Sequence, residues 1–292
     1  MTTTEGGDEL QWKSFPAGEN GFFRAPVLVW GKTEAVLIDG GFTLSDGRAV
    51  AEAIKATGRR LTSIYVSQSD PDYYFGLGPI KAAFPDAQVL AAPETIAAIN
   101  GNVEKKLATW APQLGDNGPK TLADIVMPTA FEGSSLTVDG HAIEIVAANG
   151  LANRRYLWVP SLSAIFGGVM IFSGVHVWTA DTSAEARAVW ACELDEMLLW
   201  KPAIVVPGHM TPGAPMGQAA IVVPGHMTPG APMGQAAILY TREYLLAFEQ
   251  ELATVEGSAA LIAAMTARYP DAGMGVALQI GAKVATGEMQ WG

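Results

Sequence analysis

Two carboxylates, Asp70 and Asp72, flank Pro71 in the run Val66-Ser67-Gln68-Ser69-Asp70-Pro71-Asp72-Tyr73-Tyr74-Phe75. Acids so spaced can position or deprotonate a water molecule. The run follows a short apolar stretch, Ser63 to Val66, and precedes Phe75-Gly76-Leu77-Gly78, which opens a helix. A polar loop that leaves a strand and feeds a helix is where α/β folds place their chemistry. The plainer alternative is that one acid caps the helix, but two acids exceed what one cap needs. Tyr73 could lend its phenol to a substrate, whereas Tyr74 reads as core. His209, on the Pro207-Gly208 turn rather than an apolar face, is the candidate acid or base to pair with Asp72. Gln68, Asn149, His176 and His226 are candidate substrate contacts, with Arg154 and Arg155 beside them. His176, between Val175 and Val177, reads equally as a satisfied structural histidine, and His141, after Asp139-Gly140, as a solvated hairpin residue.

The elements that must position these groups follow from apolar periodicity. Strands are predicted at Phe22–Trp30, Ala35–Ile38, Ser63–Val66 and Gln88–Ala91, with helices at Ser45–Thr57, Phe75–Phe84 and Pro93–Ala108 between them. The middle of the chain reads as hairpins: Ser135–Val138, His141–Ala148, Arg155–Val159 and Ala164–Phe166. A helix over Thr182–Trp200, a strand at Ile204–Val206 and a helix over Ile238–Thr254 come next, and Asp271–Gly292 has helical spacing. Two β-rich halves with helices outside make an αββα sandwich, two mixed sheets flanked by helices. Residues 1–12 read as a flexible tail and 13–292 as a single domain.

The chain has 292 residues, 49% of them apolar and 16% charged, enough to build a core without disulfides. Its lone cysteine, Cys192, has no histidine near it in sequence and is expected to be a packed thiol. A net charge of −11 with no basic run argues against a nucleic-acid partner. No apolar run long enough for a membrane span, and no apolar leader, points to a cytoplasmic protein with a small-molecule substrate.

Residues 204–220 recur without a change at 221–237. Chance does not produce that, and two copies do not make a solenoid. Copy one is joined to the preceding helix by Lys201-Pro202-Ala203, so Ile204–Val206 is expected to be the working strand and His209 the working histidine. Copy two runs into Ile238, so the following helix is expected to start at Gln235. The surplus must loop out, at about 0.6 kcal/mol per doubling of loop length.

Four segments, in order, resemble the metallo-β-lactamase superfamily: Val36-Leu37-Ile38-Asp39-Gly40-Gly41, the loop 66–75, Ala164 to Trp178, and Val206-Pro207-Gly208-His209. The loop resembles that family's His-x-His-x-Asp-His, with Gln68, Asp70, Asp72 and Tyr73 at the matching positions. The resemblance implies an αββα sandwich and hydrolytic chemistry on lactones, thioesters or nitroaryl ethers. The family's usual site holds one or two metals on about five histidines and a bridging aspartate. Here Asn149-Gly150 stands at the third histidine's place and Val169 at the bridging aspartate's. No cofactor is therefore expected. A single divalent metal on Asp72, Asp70 and His209 is the alternative, its oxygen donors suiting magnesium, manganese or calcium. The implied function is hydrolysis of a small activated ester, lactone or aryl ether by carboxylate- and histidine-assisted water attack. The alternative is a non-catalytic subunit supporting an intact paralogue; the expected assembly is a homodimer or a hetero-oligomer with a paralogue.

Overall fold

The computed structural model describes residues 9–208 and 235–291. His209, His226 and the second copy of the repeated strand lie outside them. The first sheet runs in the order β1 (Gln11–Ser14), β2 (Val27–Trp30), β3 (Glu34–Ile38), β4 (Arg60–Tyr65), β5 (Gln88–Ala91), β6 (Thr129–Ala130). Its first two pairings are antiparallel and the remaining three parallel. The second sheet runs β11 (Ile204–Val206), β10 (Ala164–Phe166), β9 (Arg155–Val159), β8 (His141–Ala147), β7 (Ser135–Val138). There the β10–β11 pairing is parallel and the other three are antiparallel. Both sheets are mixed, as the αββα reading expects.

Strand alternation sends successive side chains to opposite faces, and the core divides accordingly. Val36, Ile38, Phe166 and Val206 meet Val27, Leu136 and Leu157 between the sheets. Their strand neighbours Ala35, Leu37, Ile165 and Val205 pack outward under the helices. The helices are α1 (Leu44–Thr57), α2 (Leu77–Ala83), α3 (Pro93–Leu114), α4 (Ala184–Leu199), α5 (Gln235–Leu252), α6 (Gly257–Arg268) and α7 (Gly275–Ala285). Thr43 caps α1 by accepting from the Asp46 amide at 3.1 Å, and Gly58 ends it in the left-handed conformation that favours glycine. No helix among the described residues is long and apolar enough to cross a membrane.

Three expectations need correction. Gln11 and Trp12, assigned to the tail, already belong to β1 and pair with Trp30 and Val29. The helix expected from Phe75 starts at Leu77, because Phe75 and Gly76 are tied down first. Gly76 donates to the Gly41 carbonyl at 2.9 Å, and a Cβ on Gly76 would come within 2.4 Å of the Gly40 carbonyl oxygen. Cys192 is exposed, since α4 turns Arg187, Trp190, Ala191, Leu194 and Met197 inward instead.

Candidate functional site

The first sheet's β3 and β4 and the second sheet's β10 and β11 all run toward one rim of the sandwich, and each ends in a turn there. Asp39, just past β3, adopts φ +63°, a left-handed conformation that aspartate tolerates better than most residues. Its carboxylate accepts from the Ser67 amide at 2.7 Å and the Ser67 hydroxyl at 2.9 Å, so the turn after β3 holds the loop after β4. Arg24, on the approach to β2, donates from Nη2 to the same carboxylate. Gly40 donates to the Tyr73 carbonyl at 2.6 Å, closing the loop from its far end.

Within that loop, Pro71–Tyr73 form one turn of 3-10 helix. Pro71 sits at its first position, where a missing N–H costs nothing. The turn swings Asp72 and Asp70 into the wall of a cavity of about 50 Å³, room for roughly three to five waters. Aromatic rings make most of the rest: Phe42, Trp110, Phe172, Trp178 and Trp291. Trp110 meets Phe42 edge-on at 5.6 Å and Phe22 at 5.1 Å, while Trp178 and Trp291 meet at 5.1 Å. Trp110 and Trp291 also wall a wider groove of about 470 Å³. Lys106, one turn before Trp110 on α3, donates to Asp70 at 2.9 Å and lies 4.9 Å from the Trp291 ring centre.

The electrostatics are those of charge held away from water. Burial pushes the Asp72 carboxyl above the ordinary 3.8, and Arg24 and Lys106 pull it partly back. Asp39 is likewise raised by burial, against the pull of Arg24 and of the Ser67 donors. Arg24 is 1% exposed and its Nε stands 3.9 Å from Asp72 Oδ2. Burial also holds the Tyr73 phenol far above its usual range, so it stays protonated at neutral pH.

Of the residues singled out from sequence, Asp70, Asp72 and Tyr73 share the cavity wall. The other candidates among the described residues lie elsewhere. Gln68 is buried below it, its Oε1 taken by Ser69 Oγ at 3.1 Å and Asn153 Nδ2 at 2.8 Å. Asn149 falls on an exposed turn after β8. His176 is 4% exposed, with Nδ1 2.9 Å from the Tyr244 hydroxyl and its amide on the Gly273 carbonyl. Its ring faces that of Tyr244 at 5.8 Å, and it does not line the cavity. Arg154 stacks on Trp190 at 4.3 Å and pairs with Asp181 at 2.9 Å, and Arg155 pairs with Glu94 at 2.8 Å. Neither lines the cavity. His209 and His226 lie outside the described residues, although Gly208, just before His209, reaches the rim and accepts from the Ala25 amide at 2.7 Å.

Sequence reasoning passed over Arg24, Asp39 and Lys106 as site residues. The signal for Arg24 was one cation inside the apolar run Gly21-Phe22-Phe23-Arg24-Ala25-Pro26-Val27, since a charge in such a run must find a partner.

A zinc pair does not fit this donor set. Gln68 has its oxygen engaged, Asp70 is paired with Lys106, Val169 lines the cavity, and Tyr73 lies under the Arg24 guanidinium at 3.8 Å. Among the described residues no three His, Cys, Asp or Glu side chains converge as metal ligands.

The model of the metallo-beta-lactamase superfamily matches residues 20–146. Comparison with curated proteins finds no match. Among solved structures, a metallo-beta-lactamase from Pontibacter korlensis is similar at 17% identity, covering 76% of this chain and 87% of that one with a TM-score of 0.51. The DIM-1 metallo-beta-lactamase is similar at 14% identity over 76% and 86%, and the BLEG-1 B3 metallo-beta-lactamase at 17% over 77% and 95%, both with TM-scores of 0.51. At these identities the likeness carries the fold.

Proposed function

We propose that this chain, which has the metallo-beta-lactamase fold, is a hydrolase that acts on a small, flat, activated ester, lactone or aryl ether. The observation that carries this reading is Asp72. A carboxylate at the fold's ligand position has kept its place in the wall of an aromatic cavity, with its affinity for protons raised by burial. A general base works best when its pKa approaches the operating pH, and burial moves Asp72 in that direction.

In the proposed reaction the substrate ring lies against Trp110, Trp178 and Phe42. Asp72 takes one proton from a water as its oxygen bonds to the electrophilic carbon. The bond to the leaving oxygen then breaks, and the proton held by Asp72, or one from solvent, neutralises that oxygen. Lys106, with two N–H donors beyond the one given to Asp70, faces the same cavity and can meet the negative charge as it develops. Activated leaving groups suit this machinery, because a carboxylate does not lower the pKa of water as a metal does.

The test is hydrolysis of nitrophenyl esters and dinitroaryl ethers by the purified chain, with Asp72→Asn beside it. Turnover that Asp72→Asn abolishes supports the reading. Equal turnover by both proteins sinks it. No turnover by either favours the supporting-subunit reading, for which a co-purifying paralogue would be the direct observation.

A further inference from the structure

Arg24 reaches a place that its own segment does not explain. Its guanidinium lies where three turns meet: the loop after β4, the 3-10 turn Gly168–Met170 after β10, and Pro207-Gly208 after β11. From the first turn come Asp72, 3.9 Å from Nε, and the Tyr73 ring, its centre 3.8 Å from Cζ. The other two are read from Gly208. A Cβ there would come within 2.5 Å of Arg24 Nη1 and 1.9 Å of the Gly168 carbonyl oxygen. Asp39 closes the fourth side through Nη2. Both Arg24 and Asp39 are 1% exposed.

Two of these turns hold positions at which the sequence resemblance places metal ligands: Asp72 and Tyr73 in the first, and Val169 in the second. In this chain a side-chain cation occupies their meeting point. Two acids, Asp39 and Asp72, converge on it, and a buried acid without a counter-charge is among the costliest groups a fold can hold. A guanidinium suits the task, being permanently charged, planar and weakly hydrated. Its flat face covers Tyr73 while its edge serves the carboxylates. Glycine at 208 leaves room for it.

We propose that Arg24 is a built-in cation standing in for the fold's metal. It is the counter-charge that Asp39 and Asp72 share, it packs between the loop after β4 and the turn after β11, and it lets the cavity assemble without a metal ion. Arg24 is thus a positioning residue, acting through Asp72 and not on the substrate.

The experiment reads metal content and thermal midpoint, so its outcome is separate from whether the protein turns over an ester. Wild-type protein is expected to hold no stoichiometric metal and to melt at the same temperature with chelator or with zinc. Arg24→Ala is expected to melt roughly 10 °C lower. Millimolar guanidinium chloride should restore much of that loss, whereas sodium chloride or urea at the same concentration should not. Arg24→Met fills the space without charge and should gain nothing from guanidinium. Should Arg24→Ala fail to fold, Arg24→Lys against Arg24→Met decides, and the charge reading requires Lys to be the more stable. Three results would overturn the proposal. They are one tightly held metal per wild-type chain whose removal lowers the midpoint, an Arg24→Met variant as stable as wild type, and a rescue of Arg24→Ala that sodium chloride matches.

Discussion

Acid should weaken this fold through His176. Burial alone pulls its pKa from 6.5 down to about 4, and its Nδ1 is held 2.9 Å from the Tyr244 hydroxyl. In the unfolded chain the imidazole takes a proton below 6.5, while in the folded chain it stays neutral until about 4. The folded pKa is the lower one, so stability is present above pH 6.5 and is lost as pH falls through that window. Linkage over those two values makes the penalty about 0.2 kcal/mol at pH 7 and about 2 kcal/mol at pH 5. The three raised carboxyls, Asp39, Asp72 and Asp181, act with the opposite sign. Wild type alone would therefore blur the effect, and the comparison must be a difference. His176→Gln keeps a polar group near Tyr244 and does not titrate. Urea midpoints of both proteins at pH 7 and pH 5 give the answer. The wild type should lose about 2 kcal/mol more than the variant, roughly 4–8 °C in a thermal scan. Parallel losses would refute the reasoning, since a surface-like histidine has nothing to lose.

Asp72→Asn should lower kcat/KM by about 10²- to 10⁴-fold. The wild-type rate should rise with pH through an acid limb lying above the ordinary 3.8, and a pH–rate profile of the variant should lack it. Gly208→Ala should cost about 1–3 kcal/mol in urea unfolding, because the added carbon meets the Gly168 backbone carbonyl, which cannot rotate away. Trp190→Phe removes the indole that donates to the Met170 carbonyl at 2.8 Å and supports Arg154. It should cost about 2–3 kcal/mol by denaturant midpoint.

Much of the scaffold was legible because the strands obey a simple alternation. Val36 and Ile38 face one side, Ala35 and Leu37 the other, and both sides are covered. What escaped was either weakly patterned or non-local. The edge strand Gln11–Ser14 has one half-buried Trp12 among polar residues, because an edge strand is partly solvated. The helix Gly257–Arg268 is alanine-rich, and its apolar positions do not gather on one stripe. Asn149 looked like a cleft residue by its place after a strand, yet the turn delivers it to solvent. Asp39 was read as the end of a strand and given no role, because its partner Arg24 lies in another turn. Lys106 and Trp110 are four residues apart on α3, a spacing that puts them on one face. Nothing in the helix itself says that this face meets Asp70.

The exchange of a metal for a guanidinium also sets limits on chemistry. On this proposal the guanidinium gathers Asp39 and Asp72 at the rim where four strands end, so the turns there assemble around a side chain instead of a metal. The two cations differ in what they do to water. A metal binds water and makes hydroxide near neutral pH, whereas a guanidinium donates hydrogen bonds and leaves the water's own acidity almost untouched. The burden then passes to the base and to the leaving group. Asp72 can supply the first, since burial raises its affinity for protons while Arg24, at 3.9 Å, keeps the charged form accessible. The substrate must supply the second. On the proposed function, an aromatic cavity with a lysine at its edge suits a leaving group that departs as a stabilised aryl oxide, which is the kind a carboxylate base could displace.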